Sequence, residues 1–178
     1  MDKVIVVRDF TKTDAPAVRS LFIRVNRRLA PPEMKSAFET YITASLREEI
    51  DRISDYYEDR KGQFRVAVSG QKIVGMFGLE PSGPDAMELR RMYVDPDWRR
   101  RGIAAQMLRD AENFCRARAL TRLDLSTSEI QSDALSFYRA SGYRLVREET
   151  AEAPSNKTIG GGIRRYHFSR DLLLPGAA

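Results

Sequence analysis

Glu88-Leu89-Arg90-Arg91-Met92-Tyr93-Val94-Asp95-Pro96-Asp97-Trp98-Arg99-Arg100-Arg101-Gly102-Ile103-Ala104 is the stretch on which the reading of this chain turns. Its first part belongs to a strand-like run from Met87 to Val94, which Asp95-Pro96-Asp97 ends. From Gly102 to about Arg118 the apolar positions Ile103, Met107, Ala111 and Phe114, joined by Ala104, Leu108 and Cys115, form a broad helical stripe. Leu123 to Ser126 then resumes as a strand. Strand, helix and strand in this order imply a right-handed crossover and parallel pairing, which places the helix start at the carboxyl end of the first strand. Free backbone N–H groups and the positive end of the helix dipole meet there, so the turn is suited to an anion. Gly102 allows close backbone approach, Ala104 keeps the next turn narrow, and Arg99, Arg100 and Arg101 add positive charge. On these residues alone, a solvated arginine face and a phosphate cradle both remain open. A P-loop is excluded by its missing Lys and Ser/Thr, and a dinucleotide fingerprint by its missing glycine spacing.

Outward from this stretch the elements follow simple periodicities. Val4 to Arg8 reads as a strand, and Thr13 or Asp14 is positioned to cap a helix with Pro16 in its first turn and Val18, Leu21, Phe22 and Val25 on one face. After Pro31-Pro32 a kinked or split helical stretch is predicted from Glu33 to Tyr57, with Phe38, Tyr41, Ile42, Leu46, Ile50 and Ile53 at helical steps. Phe64 to Val68 and Lys72 to Leu79 form a hairpin across Ser69-Gly70-Gln71, and Pro81-Ser82-Gly83-Pro84-Asp85 breaks the chain before Met87. On the other side come a helix near Ser132 to Ser141 with Gly142 as its stop, strands at Tyr143–Arg147 and Ile163–Ser169, and a mobile loop including Asn156 to Gly162.

The 178 residues, 42% of them hydrophobic, suit one compact domain with a sizeable core. Runs such as Val4-Ile5-Val6-Val7 and Leu172-Leu173-Leu174 are far short of the roughly 20 residues that cross a bilayer. Met1-Asp2-Lys3 leads straight into a strand-like run without a signal-peptide pattern, so a cytoplasmic location and no membrane partner are expected. A single cysteine and a single histidine argue against a disulfide framework and against a metal site. The net charge of +5 favours acidic partners, and a cofactor with several phosphates satisfies it as well as nucleic acid does.

Arg99-Arg100-Arg101-Gly102-Ile103-Ala104 resembles the Gln/Arg-x-x-Gly-x-Gly/Ala motif of the GNAT acetyltransferase superfamily. Glu88 to Pro96 is similar to that family's preceding strand, and Ala134-Leu135-Ser136-Phe137-Tyr138-Arg139-Ala140-Ser141-Gly142-Tyr143 to its later helix and strand entry, so the resemblance covers about Val66 to Val146. It implies an α/β (α+β) fold: a mixed, mainly antiparallel sheet of six to seven strands with helices on both faces and a V-shaped opening at the parallel step. It also implies one acetyltransferase domain over 1–178, with substrate-side helices in 1–62, an acetyl-CoA core in 63–147 and a closing loop and strand in 148–178. The expected partners are acetyl-CoA and an amine, with no metal, no nucleic acid and a monomer or homodimer.

The resemblance assigns the pyrophosphate to the turn, Arg99, Arg100, Arg101, Gly102, Ile103 and Ala104, and pantetheine and an oxyanion-type role to the backbone of Met92, Tyr93 and Val94 at a strand bulge. A lysine-like amine of pKa about 10.4 is protonated at neutral pH, so a proton acceptor is useful, and Glu88 is the candidate. The strand rise sets it roughly 13 Å from Met92, which calls for a water relay. Tyr138 stands where relatives carry a tyrosine suited to protonating the departing thiolate, and Gln131 where they carry an asparagine that contacts the cofactor. Cys115 reads as core, His167 as structural, and Trp98 as packing beside the turn. Direct attack in a ternary complex is the implied chemistry. Arg27, Arg28, Tyr56, Tyr57 and Arg164 are candidates for recognising a carboxylate or aromatic group on the acceptor. A catalytically silent acyl-CoA sensor and a nucleic-acid module using the arginine patch are the alternatives from other classes.

Overall fold

A computed structural model describes residues 4–173 and 176; the opening Met1-Asp2-Lys3 and Leu174 lie outside the described residues. The strands are β1 (Ile5–Asp9), β2 (Gln63–Ser69), β3 (Lys72–Gly83), β4 (Ala86–Val94), β5 (Arg122–Ser128), β6 (Arg144–Ala151) and β7 (Ile163–Asp171). The helices are α1 (Ala15–Leu29), α2 (Lys35–Glu48), α3 (Ile53–Asp59), α4 (Ile103–Ala117) and α5 (Ser132–Ala140). The strands form one sheet in the order β1-β2-β3-β4-β5-β7-β6, and only β4 and β5 pair in parallel. This is the mixed, mainly antiparallel sheet expected from the sequence, with seven strands.

Each face of the sheet carries its own apolar cluster. On one, Val18, Leu21, Phe22 and Val25 of α1 pack with residues of α2 and α3 against Val66 and Met76. On the other, Ile103, Met107, Leu108, Ala111 and Cys115 of α4 and Tyr138 of α5 pack against Phe77, Leu89, Leu123 and Leu125. These stripes follow helical spacing, so burial of one side is enough to orient each helix.

The departures from expectation have physical causes. The stretch from Glu33 to Tyr57 is split at Glu49, whose φ of −138° and ψ of −60° leave the helical region and turn its carboxylate under the sheet. Strand β3 runs through Pro81 instead of ending before it. Pairing with β2 stops at Leu79, so Pro81 lies where β3 has a neighbour only in β4 and its missing N–H disturbs no second ladder. The segment Asn156–Gly162, expected to be mobile, is tied in place: Asn156 O accepts from Arg91 at 2.5 Å, and Lys157 Nζ meets Glu88 at 3.1 Å.

Asp14 does not cap α1 through its side chain. Its carboxylate instead receives Arg8 at 2.7 and 2.9 Å and the Thr11 N–H at 2.8 Å. The bond from Arg8, opposed by burial and helped by Thr11, lowers its pKa from 3.8 to about 2. A depressed carboxyl contributes stability above its unfolded value and loses it as pH falls through the folded value. With Arg8 partly in water, Asp14→Asn is expected to cost about 1–2 kcal/mol at pH 7. In denaturant unfolding the gap between the two proteins should shrink to less than half by pH 2.5; an unchanged gap would disprove the assignment.

Candidate acyl-transfer site

Parallel pairing between β4 and β5 runs only from Ala86↔Arg122 to Leu89↔Leu125. Beyond it β4 continues beside β3 alone, while β5 continues beside β7. The two central strands therefore splay apart, leaving Arg90–Val94 with an open side.

A bulge accompanies the splay. Gly78 is opposite Arg90 and Met76 opposite Tyr93, so two residues of β4, Arg91 and Met92, face the single Phe77 of β3. Arg91 adopts φ 54°, a left-handed conformation that costs a non-glycine residue energy. The extra residue inverts the alternation of side chains. Met87 and Leu89 face the α4–α5 cluster, and after the bulge Met92 and Val94 do so, while Tyr93 faces α1 and α2. Consecutive Arg90 and Arg91 consequently both reach Glu49, which regular alternation forbids.

Glu49 is fully buried and accepts from Arg90 at 3.0 Å, from Arg91 at 2.8 Å and from the Tyr57 hydroxyl at 2.7 Å. Burial works to raise its pKa, but the charges of Arg91 and Arg90 and the bonds from Arg91 and Tyr57 outweigh that and hold it below the ordinary value. Arg90 also pairs with Glu80, and Arg91 donates to the Tyr41 hydroxyl at 2.5 Å. The bulge is thus seated on a compensated, buried ionic network.

Backbone direction follows from the end of the strand. The Asp95 N–H donates to Val74 O at 2.9 Å, so alternation turns the amide of Tyr93 toward β3 and those of Val94 and Met92 toward the opening. The two residues of the bulge itself, opposite Phe77, are Arg91 and Met92.

Asp95, with no exposed surface, fixes the exit from β4 by accepting from the Asp97 N–H at 3.0 Å, Arg24 at 2.8 Å and Lys72 at 3.2 Å. The chain then turns through Pro96–Trp98 into the arginine stretch, where Arg100 has φ 60° and Gly102 φ 73°. A Cβ on Gly102 would meet nothing within 4 Å, so the space before α4 is open. The first bond within the helix is Gln106 N–H to Gly102 O at 3.0 Å, which leaves the N–H groups of Ile103 and Ala104 without helical partners. Arg99, Arg100 and Arg101 are exposed, and among the described residues none pairs with a carboxylate. Arg101 stacks on Trp98, 4.7 Å from the ring centroid. An open helix start with unpaired arginines fits a phosphate-bearing ligand.

The opening leads to a cavity of about 110 Å³ that reaches both faces of the sheet. Asn26 and Tyr41 line it from α1 and α2, Glu88 and Met92 from β4, and Gln131 and Tyr138 from the α5 side. Tyr138 is also core, with its ring 5.3 Å from Phe137 and 6.0 Å from Tyr143. Burial raises its phenol above the ordinary value, so it stays protonated. Glu88 is held by Lys157, not by the neighbouring arginines, and Gln131 uses its amide oxygen to accept from Thr127 at 2.8 Å. Cys115 is buried and its thiol is pushed up to about 11, which suits core and not a nucleophile.

The acceptor candidates fare differently. Arg27 pairs with Glu39 at 2.7 Å on the surface, and Arg164 lies 3.9 Å from Glu148. Tyr57 is bound to Glu49 and Tyr56 to Arg90, both buried. None of these, nor Arg28, lines the cavity; Arg91, Lys157 and Arg165 do. Among the described residues no cluster of His, Cys, Asp or Glu could hold a metal, and no helix is long and apolar enough to cross a membrane.

A family model described as "Acetyltransferase (GNAT) family" matches residues 30–143, more than half of the chain. The chain belongs to the GNAT family. Rat N-acetyltransferase family 8 member 2 is 30% identical over 137 residues, covering 74% of this chain and 59% of that protein. The chain spans about half the length of the curated relatives it matches. A GNAT-family acetyltransferase from Staphylococcus aureus Mu50 superposes with a TM-score of 0.73 at 20% identity, over 96% of this chain and 100% of that one. A GNAT acetyltransferase from Elizabethkingia anophelis with acetyl-CoA bound gives 0.64 at 18% identity, over 97% and 100%. Both share the GNAT fold.

Proposed function

We propose that this GNAT chain transfers an acetyl group from acetyl-CoA to a primary amine, by direct attack while both substrates are bound. The observation that carries the reading is the splay of β4 from β5 beside the bulge, with the Val94 and Met92 amides turned into it and the open α4 start at its end. The same-fold Elizabethkingia protein, solved with acetyl-CoA, supports the choice of donor.

The donor's phosphates lie on the turn from Arg99 to Ala104, and its thioester reaches the opening from the α4–α5 face. The acceptor comes from the face of α1, α2 and the Asn156–Ile159 loop, where Glu88 stands. Glu88, through water, takes the proton from the ammonium so that its nitrogen can attack. The N–H groups of Met92 and Val94 hold the negative charge that develops on the carbonyl oxygen. As the C–N bond forms and the C–S bond breaks, Tyr138 gives its proton to the departing sulfur, and the second proton shed by the acylated nitrogen passes through water to restore the phenol. The products are an N-acetylated amine and coenzyme A thiol.

A thiol-release screen over amino acids, polyamines, aminoglycosides and peptide N-termini tests the reading. Gly102→Glu is the companion variant. Its carboxylate would project into the open space before α4 against the donor's phosphates, and its φ of 73° adds strain. The KM for acetyl-CoA is expected to rise about tenfold, since like charge and crowding at the phosphate contact together cost on the order of 1.4 kcal/mol. Thiol release absent from every amine, with acetyl-CoA still bound, would favour a sensor; unchanged donor binding by Gly102→Glu would remove the cradle.

A further inference from the structure

The charges around the cavity balance, with one exception. Arg90 and Arg91 are matched by Glu49 and Glu80, and Lys157 by Glu88 at 3.1 Å. Arg165, on β7, has no carboxylate within ion-pair distance among the described residues, although it is only partly exposed and lines the cavity. Its guanidinium donates to the carbonyl of Lys157 and the hydroxyl of Ser126, two neutral acceptors. Burial lowers its pKa, partly offset by charge from Tyr41, Glu149, Glu88 and Tyr93. Neither of those carboxylates is free to pair with it. Glu88 is held by Lys157, and Glu149 lies 2.8 Å from His167 and 3.2 Å from Arg147.

A half-buried cation bonded only to neutral groups pays its desolvation without an anion to recover it. Two of the five guanidinium donors are in use, and the remainder form part of a fork that matches a carboxylate. The Lys157 carbonyl and Ser126 hydroxyl hold that fork in place beside Tyr41, Tyr93 and Glu88, on the acceptor's side of the opening. One uncompensated positive charge matches a singly charged group, and the cavity of about 110 Å³ admits a small one.

We propose that Arg165 determines acceptor specificity by binding a carboxylate on the acceptor, so that the substrate class is a primary amine that also carries a carboxylate, such as a free α-amino acid. This rests on the reading of the cavity as the acceptor site. The amine then lies near Glu88 while the carboxylate replaces the missing counter-charge. Primary amines without an acid group bind poorly, because they leave Arg165 unpaired and bring a second cation beside it.

Calorimetry on the protein saturated with coenzyme A tests the pairing without requiring turnover. The probes are a panel of α-amino acids and their α-carboxamides. The acids that bind are expected to do so at least tenfold more tightly than their amides. In Arg165→Met that ratio should fall to near one, while Arg165→Lys, which keeps the charge but loses the fork, should hold an intermediate ratio. Thermal unfolding identifies folded variants, and Arg165→Lys carries the test if Arg165→Met does not fold. Amides bound as tightly as acids, no acid bound at all, or a preference undiminished in both variants would overturn the proposal. Thiol release on the same panel separates the two readings: acids that bind through Arg165 without being acetylated would defeat the transferase reading and leave the carboxylate site standing.

Discussion

Replacing Glu49 by glutamine is expected to lower the free energy of unfolding by about 3–5 kcal/mol, the usual cost of removing one partner from a buried ion pair. For a chain of this length that is a fall in Tm on the order of 10 °C. Glu49 has no exposed surface, and its carboxylate is shared by Arg90 and Arg91. Without its charge, Glu80 alone remains to balance two buried guanidinium groups. The left-handed Arg91 also loses its only carboxylate partner among the described residues and keeps just the neutral Tyr41 and Asn156 acceptors, so the bulge should loosen and activity should fall with stability. Denaturant and thermal unfolding check the first effect, and thiol release below the lowered Tm checks the second. A loss under 1 kcal/mol would mean that the bulge is held by something other than this network.

Tyr138→Phe is expected to lower kcat by about 10²-fold or more, the usual contribution of a positioned general acid, while leaving the KM for acetyl-CoA nearly unchanged. The ring is packed by Phe137, Tyr143 and Phe168, and the variant keeps every one of those contacts, so stability should barely move. A purely structural tyrosine would give full activity in the variant. A donor with a more acidic thiol makes a second readout: its leaving group needs less protonation, and the variant should lose less with it.

The helices and strands near the arginine turn were legible because their apolar spacings are regular and because Gly102 and Pro96 mark the turn between them. The arginines that matter inside the cavity carried no such mark. Arg91 and Arg165 sit within runs of basic residues that look solvated, and only the fold turns them inward. Arg91 faces Glu49 because of a bulge, and a bulge depends on pairing with β3, which no local pattern encodes. Glu49 itself lies in a stretch of helix-forming residues, Arg47-Glu48-Glu49-Ile50-Asp51-Arg52, with nothing local to mark it as a fully buried acid. Tyr56 and Tyr57 look like exposed recognition groups for a similar reason, yet Tyr56 is buried against Arg90 and Tyr57 lies over Gly78. A Cβ on Gly78 would lie 2.0 Å from the Tyr57 hydroxyl, so that glycine makes the space for the tyrosine.

If Arg91 is left out, Leu89-Arg90-Met92-Tyr93-Val94 is an ordinary alternating strand, with Leu89, Met92 and Val94 on one side and Arg90 and Tyr93 on the other. Every neighbouring side chain keeps the face it now occupies. A regular strand and the bulged one therefore differ by a single codon, and a bulge of this kind can be gained or lost by the insertion or deletion of one residue without redesign of either hydrophobic layer.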